Sequence, residues 1–499
     1  MDIISAKGSF ARLQEQLTAY ENALGLLELD GATCAPPDSA DGRGATGKVL
    51  AEASYRLEHC EETELLLEYL HAHAEELNAA EKRQLELMDR QKARIANVPK
   101  EDYLSYRVLT NKAADVWRRA KRDNDFASFA PYLRDITDAL RSFALLSHPE
   151  QKPYDTMLDS FEHGLNTAAA DVFFDTLRRQ LVPLIREISA APQPDTAFLH
   201  QHCPVWRQRI LSDRLMDIMK ADRGRISIGE TEHPFTIGFG SHDTRITTHY
   251  YEDDFTSSMF SVMHETGHAI YEMNCADEYD RTLLRGGVSM GIHESQSRFY
   301  ENLIGRSEAF LTFLLPVLRE VFPGQFDSIT AGELYAAVNK SSPSLIRIHA
   351  DELTYPLHIM VRYDLEKAII GDRMDVRDIP EAWHEKMREY LGIDVPDDSR
   401  GCLQDSHWSS GQIGYFPSYA LGSAYGAQFL KKMGETVDVE EAVRTGHMER
   451  ITAWLCEHLH RHGRMYDPDV LLNNACGGPF DPSCYTEYLT RKYSALYHL

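Results

Sequence analysis

The chain has 499 residues, 43% of them hydrophobic, more than a single compact core usually holds, so two lobes or one large bilobal helical body are expected. A formal net charge of −25 argues against a nucleic-acid partner, which calls for a basic surface; it is expected to aid solubility and to repel acidic peptides. The eight cysteines (Cys34, Cys60, Cys203, Cys275, Cys402, Cys456, Cys476 and Cys484) show no paired spacing, which favours reduced thiols in a cytoplasmic protein over a disulfide framework or a cysteine zinc site.

The first residues, Met1 to Lys7, lack the basic and apolar regions of a secretory signal. Helical periodicity then dominates and predicts a mainly α fold. It fills 45–95, 132–146, 168–190 and 425–460, with Pro99, Pro131, Pro149 and Pro153 expected as punctuation. Tyr106, Leu109, Ala113, Val116 and Trp117 form one apolar stripe, whereas Glu61, Glu62 and Glu64 suit a solvated face. The one clear β signal runs from Ile226 to Tyr250. Phe235, Ile237 and Phe239 alternate, Gly240 to Asp243 make a turn, and Ile246, Thr248 and Tyr250 alternate again, which predicts a hairpin. An edge strand there could pair with an extended peptide; a small sheet capping one lobe would carry the same pattern.

Asp253 to Ser258 supply N-cap candidates for the next helix, which carries His264-Glu265-Thr266-Gly267-His268. Imidazoles at i and i+4 share a helical face and can share a Zn²⁺, with Glu265 within reach of a water at the open coordination position. A pair of exposed histidines on an ordinary helix would read the same way. Glu272 continues the row, but three residues each a turn apart span too much helix to converge on one ion. The third ligand must therefore come from another segment. Beyond Asn274, the Gly-rich Arg285 to Gly291 can reverse the chain into a second helical pattern, Ile292 to Glu301. Glu294 at its start or Glu301 two turns later could face back and complete a two-His-one-Glu site with an open fourth position, the catalytic form of zinc site. A first-turn Glu serving the helix dipole explains Glu294 equally well. The apolar run from Ala309 to Leu318 is broken by Thr312 and Pro316 and is too short to span a membrane. Arg347 and Arg245 are suited to a planar anion, although an i, i+4 ion pair from Arg347 to Asp351 is the plainer use of that segment. Asp351 could equally orient His264 or His268 from behind.

His233-Pro234-Phe235, Asp243-Thr244-Arg245-Ile246-Thr247, the HExxH, His293-Glu294-Ser295-Gln296, Ile346-Arg347-Ile348-His349-Ala350-Asp351, Gly401-Cys402-Leu403-Gln404-Asp405-Ser406-His407-Trp408 and Gly414-Tyr415-Phe416-Pro417-Ser418-Tyr419-Ala420-Leu421-Gly422 follow one another in that order. Together they resemble the motif set of the carboxypeptidase Taq family of metallocarboxypeptidases, over essentially the whole chain from the Leu13 region to Tyr497. One departure lies near the N-terminus, where the family's usual Trp-Asp and Met-Pro pairs read Leu29-Asp30 and Ala35-Pro36. It touches local packing more than chemistry.

The resemblance implies a single unit over 1–499, with a helical part to about 225, a hairpin and metal-site part to about 425, a helical remainder and a deep groove between two lobes. It implies metal ligands His264, His268 and Glu294, with Zn²⁺ as cofactor and Co²⁺ as a substitute. Glu265 is the expected general base, and His407 and Tyr415 the expected donors to the oxyanion. Arg347 is the expected anchor of the substrate's α-carboxylate, Arg245 a groove residue, and His233 and Tyr419 groove-lining residues. Taken alone, the His407 and Tyr415 segments would be ordinary aromatic clusters. The implied activity is broad release of single C-terminal amino acids, poor with C-terminal proline, by a cytoplasmic homodimer acting on peptides with a free C-terminus. Two alternatives stand beside it. An HExxH endopeptidase or oligopeptidase would also cut amidated peptides, and a silent zinc-binding scaffold would have no need of Glu265.

Overall fold

Polar caps open the helices that the periodicity predicts. Asp2, Asn78, Asp125, Asn166 and Asp254 each accept a backbone N–H three residues on, satisfying a donor that the first turn leaves free. The computed structural model describes residues 2–499 except 95, 96 and 372. Among these there are twenty α-helices and one three-stranded sheet.

The N-terminal part holds α1 (Ile3–Thr33), α2 (Ala40–Glu58), α3 (Glu61–Ala72), α4 (Ala79–Ala93), α5 (Lys100–Asp123), α6 (Phe126–Ser147), α7 (Pro153–Phe161), α8 (Thr167–Ala190) and α9 (Val205–Ile218). The sheet follows: β1 (Ile226–Glu230), β2 (Thr236–Gly240) and β3 (Asp243–Thr248). Then come α10 (Phe255–Met273), α11 (Met290–Arg298), α12 (Glu308–Val321), α13 (Ala331–Val338), α14 (Tyr355–Ile370), α15 (Ile379–Leu391) and α16 (Pro417–Met433). The chain closes with α17 (Val439–Arg444), α18 (Met448–His458), α19 (Pro468–Cys476) and α20 (Ser483–Tyr497).

Two hydrophobic cores result. Phe10 and Leu13 of α1 pack with Leu66, Leu67 and Leu70 of α3 and with Leu85 and Met88 of α4 in a small core of their own. The rest, from Ala113 to Tyr497, shares one large core that includes Phe173, Phe255, Tyr300, Trp383 and Tyr493. The stripe on α5 faces this large core, as its spacing requires.

The structure corrects two expectations. Pro131 lies inside α6 and not at its boundary; only one turn of helix precedes it, beginning where Asp125 caps Ser128. The missing N–H therefore costs a single bond near the helix start. The predicted hairpin exists, with β2 antiparallel to β3, but Ile226–Glu230 adds a third strand parallel to β3, giving the order β1-β3-β2. β2 is therefore an outer strand. All eight cysteines are free, and no helix among the described residues is long and apolar enough to cross a membrane.

Candidate active site

Helix α10 is buried on nearly every side, and small residues let its neighbours approach closely. A Cβ at Gly267 would stand 2.7 Å from the Gln296 carbonyl oxygen of α11, and one at Gly422 of α16 would stand 2.7 Å from the Glu294 side chain. Helix α11 is thus wedged between α10 and α16 at distances only glycine permits, and this brings Glu294 up to the two histidines.

His264 Nε2 lies 3.7 Å and His268 Nε2 3.5 Å from Glu294 Oε2, and one ligand atom from each residue falls within 4.8 Å of the others. Tetrahedral zinc with bonds of about 2.1 Å separates its ligands by about 3.4 Å, so this donor set fits such an ion. The other oxygen, Oε1, accepts Arg298 Nε at 2.8 Å, and Oε2, which the Ser297 hydroxyl also reaches at 3.3 Å, faces the two histidines. Glu294 is buried, yet Arg298 and His264 hold its carboxyl well below the usual range. Burial pushes His268 down to about 3, which suits a neutral ligand.

The partners behind the histidines are not those expected. His264 Nδ1 donates to Glu301 Oε2 at 2.8 Å. Glu301, weighed from sequence as a ligand, stands one layer out, on a π-helical turn (Phe299–Ile304) that continues α11. His268 Nδ1 meets His293 Nδ1 at 2.6 Å. Asp351 orients neither. Its carboxylate is taken by Ser341 Oγ, the Ser342 and Leu353 N–H groups and the Thr354 hydroxyl, so its role is to fix the chain entering α14.

Glu265 points to the sheet, where the Thr236 hydroxyl of β2 donates to its Oε2 at 2.6 Å. Burial raises its pKa, although His264 and Thr236 pull it back. A carboxylate poised in this way, next to a metal position, can accept a proton.

On the other side of Glu294 lies a second cluster. Arg347 opens a 3₁₀ turn (Arg347–His349) and is buried, its Nη2 2.8 Å from Asp405 Oδ1 and its Nη1 2.9 Å from the Tyr355 hydroxyl. Arg362 of α14 donates Nε to the other oxygen of Asp405 at 2.7 Å. The expected ion pair from Arg347 to Asp351 is therefore replaced by one to Asp405. Burial, opposed by Asp405 but helped by Arg347 and Arg362, takes His407 down to about 4, and burial also keeps His358 neutral. Two guanidiniums share one carboxylate, so within Arg347, Arg362 and Asp405 the positive charges outnumber the negative.

Aromatic rings wall this cluster. The Arg347 guanidinium lies 5.2 Å from the Tyr419 ring centre and 5.7 Å from that of Phe416. His407 stacks on Tyr415 with centroids 5.5 Å apart, and its Nε2 is 3.4 Å from the Tyr419 hydroxyl. Tyr355 joins the two halves of the site: Arg298, which holds Glu294, lies over its ring at 4.6 Å, and its hydroxyl meets Arg347.

The structure thus gathers His264, Glu265, His268, Glu294, Arg347, His407, Tyr415 and Tyr419. Arg245 and His233 stay with the sheet. Thr236 faces α10 and pairs with Ile246, so Arg245, one residue along β3, faces away from α10. Its guanidinium is occupied by Asp243 and lies over Phe239. His233 is exposed in the loop before β2. A groove of about 420 Å³ runs between Leu17 and Asn22 of α1, Ser54 of α2, the outer edge of β2 and Glu272 of α10. A larger surface cavity of about 570 Å³, lined mainly by residues of α6 with Arg377, Pro380 and Asp398, contains none of these site residues.

Asp405, Arg362, Arg298, Tyr355 and Thr236 were not singled out from the sequence. Asp405 lies inside a motif quoted above and Arg298 stands at i+4 from Glu294, so both carried a signal; Arg362 carried none.

The chain is 36% identical to Carboxypeptidase 1 of Bacillus subtilis (strain 168) over 501 residues, covering all of both chains. It is 38% identical to Thermostable carboxypeptidase 1 of Thermus thermophilus over 398 residues, 78% of each chain. Its fold matches the crystal structure of the M32 carboxypeptidase from Deinococcus radiodurans R1 with a TM-score of 0.96 at 33% identity, covering 99% of this chain and 100% of the other. The model of the carboxypeptidase Taq (M32) metallopeptidase family matches residues 9–493, and the chain belongs to that family of metallocarboxypeptidases.

Proposed function

We propose that this metallocarboxypeptidase uses zinc held by His264, His268 and Glu294, and releases single C-terminal residues from peptides with broad side-chain specificity. The observation that supports this reading is the placement of a cation site and an anion site on either side of Tyr355. Two imidazoles and the Glu294 carboxylate converge at the first, and Arg347 and Arg362 share the single carboxylate of Asp405 at the second. When bound, the zinc supplies Lewis-acid polarisation and makes water acidic enough to attack at neutral pH.

The chain's own residues do the rest. Arg347, walled by Tyr355, Phe416 and Tyr419, attracts the substrate's terminal carboxylate, and burial strengthens that attraction by excluding water. Anchoring that end places the last peptide bond beside Glu265. Glu265, as the carboxylate, takes the proton from the attacking water and passes it to the leaving amine. Neutral His407 and the Tyr415 hydroxyl stand on the Arg347 side and can donate to the oxygen on which charge develops. β2 offers its outer edge to the rest of the peptide, with His233 in the loop before it and Arg245 on the neighbouring strand over Phe239.

The test is mass spectrometry of an N-acylated peptide and its C-terminal amide, each incubated with metal-stripped protein with and without added zinc. Stepwise loss of single residues from the free acid alone, and only with zinc, is the expected result. Internal cuts in both peptides would make the protein an endopeptidase. Zinc binding without any cleavage would leave a scaffold.

A further inference from the structure

His264 and His268 differ in what stands behind them. His264 meets a carboxylate directly, whereas His268 reaches one only through another imidazole. His293 Nδ1 is 2.6 Å from His268 Nδ1, and His293 Nε2 is 2.8 Å from Glu272 Oε1. An imidazole in that position carries hydrogen bonds in one direction only. The Glu272 carboxylate can only accept, so His293 Nε2 carries a hydrogen toward it, and a ring with that single hydrogen offers a lone pair at Nδ1. The hydrogen in the 2.6 Å contact must then belong to His268 Nδ1. This leaves His268 Nε2 bare, and that is the nitrogen 3.5 Å from Glu294 Oε2. The opposite tautomer would set two lone pairs against each other at 2.6 Å and point an N–H into the position a cation needs.

The surroundings are shaped to hold this chain of contacts. Glu272 sits one turn beyond His268 on the same helix, too far to be a ligand and well placed to anchor one. A Cβ at Gly238 of β2 would come within 2.8 Å of the Glu272 carboxylate, and a Cβ at Gly287 would come within 2.5 Å of the His293 ring. The Gly-rich turn therefore does more than reverse the chain: it leaves the space that the imidazole fills.

We infer that Glu272 and His293 are positioning residues that fix the tautomer and ring orientation of His268, and through it set the protein's affinity for its metal. The inference rests on His268 being a ligand, as proposed above. It is tested by zinc affinity, measured by competition with a chelator on the full chain, and by ¹⁵N chemical shifts of the His268 ring in metal-free protein. His293→Phe and Glu272→Leu are each expected to weaken zinc binding about 10- to 100-fold. The double variant should be no weaker than either single one, because both break the same chain. His293→Gln can accept from His268 and donate to Glu272, so it should recover most of the affinity. The wild-type His268 ring should show the Nδ1–H tautomer, and Glu272→Leu a mixture.

Affinity of His293→Phe within about threefold of wild type would overturn the inference, as would fully additive losses in the double variant, or His293→Gln binding no tighter than His293→Phe. If His293→Phe does not fold, His293→Gln and Glu272→Leu decide by affinity and ring tautomer. Failure of the ligand reading looks different: His268→Ala would then bind zinc as tightly as wild type.

Discussion

The cation site and the anion site stand side by side but are built in opposite ways. The first uses regular helices. His264 and His268 share a face of α10, and Glu294 arrives on α11, whose backbone rests against Gly267. The second is assembled from a 3₁₀ turn, the start of α14, a loop and the start of α16, and Asp405 holds it together by receiving two guanidiniums. Their electrostatics are opposed as well. Glu265, Glu294 and Glu301 crowd the first site against Arg298, whereas Arg347 and Arg362 outnumber Asp405 in the second. Helical spacing can place ligand atoms using neighbours in the sequence, but irregular segments need a buried charge to collect them. A peptide end laid across this boundary would have its carbonyl toward one field and its carboxylate toward the other.

The largest effect is expected at the cation site. Glu265→Gln keeps the volume and the hydrogen bond from Thr236 but cannot take a proton, so kcat should fall by about 10³-fold. Zinc content should not change, because Glu265 is not among the three ligands. Wild-type kcat in a fully loaded Glu265→Gln protein would remove Glu265 from the chemistry.

The anion site should divide its effects differently. Removing Arg347 leaves Asp405 paired with Arg362, a neutral buried pair that the fold can keep. Arg347→Ala is therefore expected to lower kcat/KM on free-acid peptides by about 10²-fold, mainly through KM, with little change in stability. Removing Asp405 leaves two buried guanidiniums facing each other without a counter-charge. Asp405→Asn should destabilise the protein by roughly 3 kcal/mol in urea unfolding of the metal-free chain. Equal stabilities of the two variants would mean that Asp405 is not the hub described here.

The same contrast explains what could be read from the sequence. The HExxH, an N-cap among Asp253 to Ser258 and the end of α10 at Asn274 follow from periodicity and capping, which are local, whereas α11 begins at Met290, inside the turn expected to run to Gly291. The choice between Glu294 and Glu301 does not. Both lie on one face of α11 and its π-helical continuation, but Glu294 faces Nε2 of both histidines and Glu301 meets only Nδ1 of His264. Asp351 differs from its expected role for a local reason: an Asp three residues before Thr354 and four before α14 has backbone N–H groups to accept. The anion site was legible only through family motifs. Asp405 and Arg347 are 58 residues apart, and no periodicity links a 3₁₀ turn to a loop over that distance.

The smallest effect concerns the boundary between the sheet and α10, and it is a matter of sign. Burial raises the pKa of Glu265, and the Thr236 hydroxyl lowers it by bonding the charged form. Glu265 serves as a base only when ionised, so turnover should be lost as pH falls through its pKa in the zinc-loaded protein. Thr236→Val keeps the side-chain shape and removes the donor. The charged form loses a partner, its pKa rises, and the acid limb of kcat should move to higher pH with the plateau changed only a few-fold. Protonation of His264 or His268 with release of metal would also produce an acid limb, so zinc content must be measured across the same range. A limb that moves in Thr236→Val while the metal stays bound belongs to Glu265. A limb that stays in place would show that the contact from β2 holds the strand against α10 and does not tune the base.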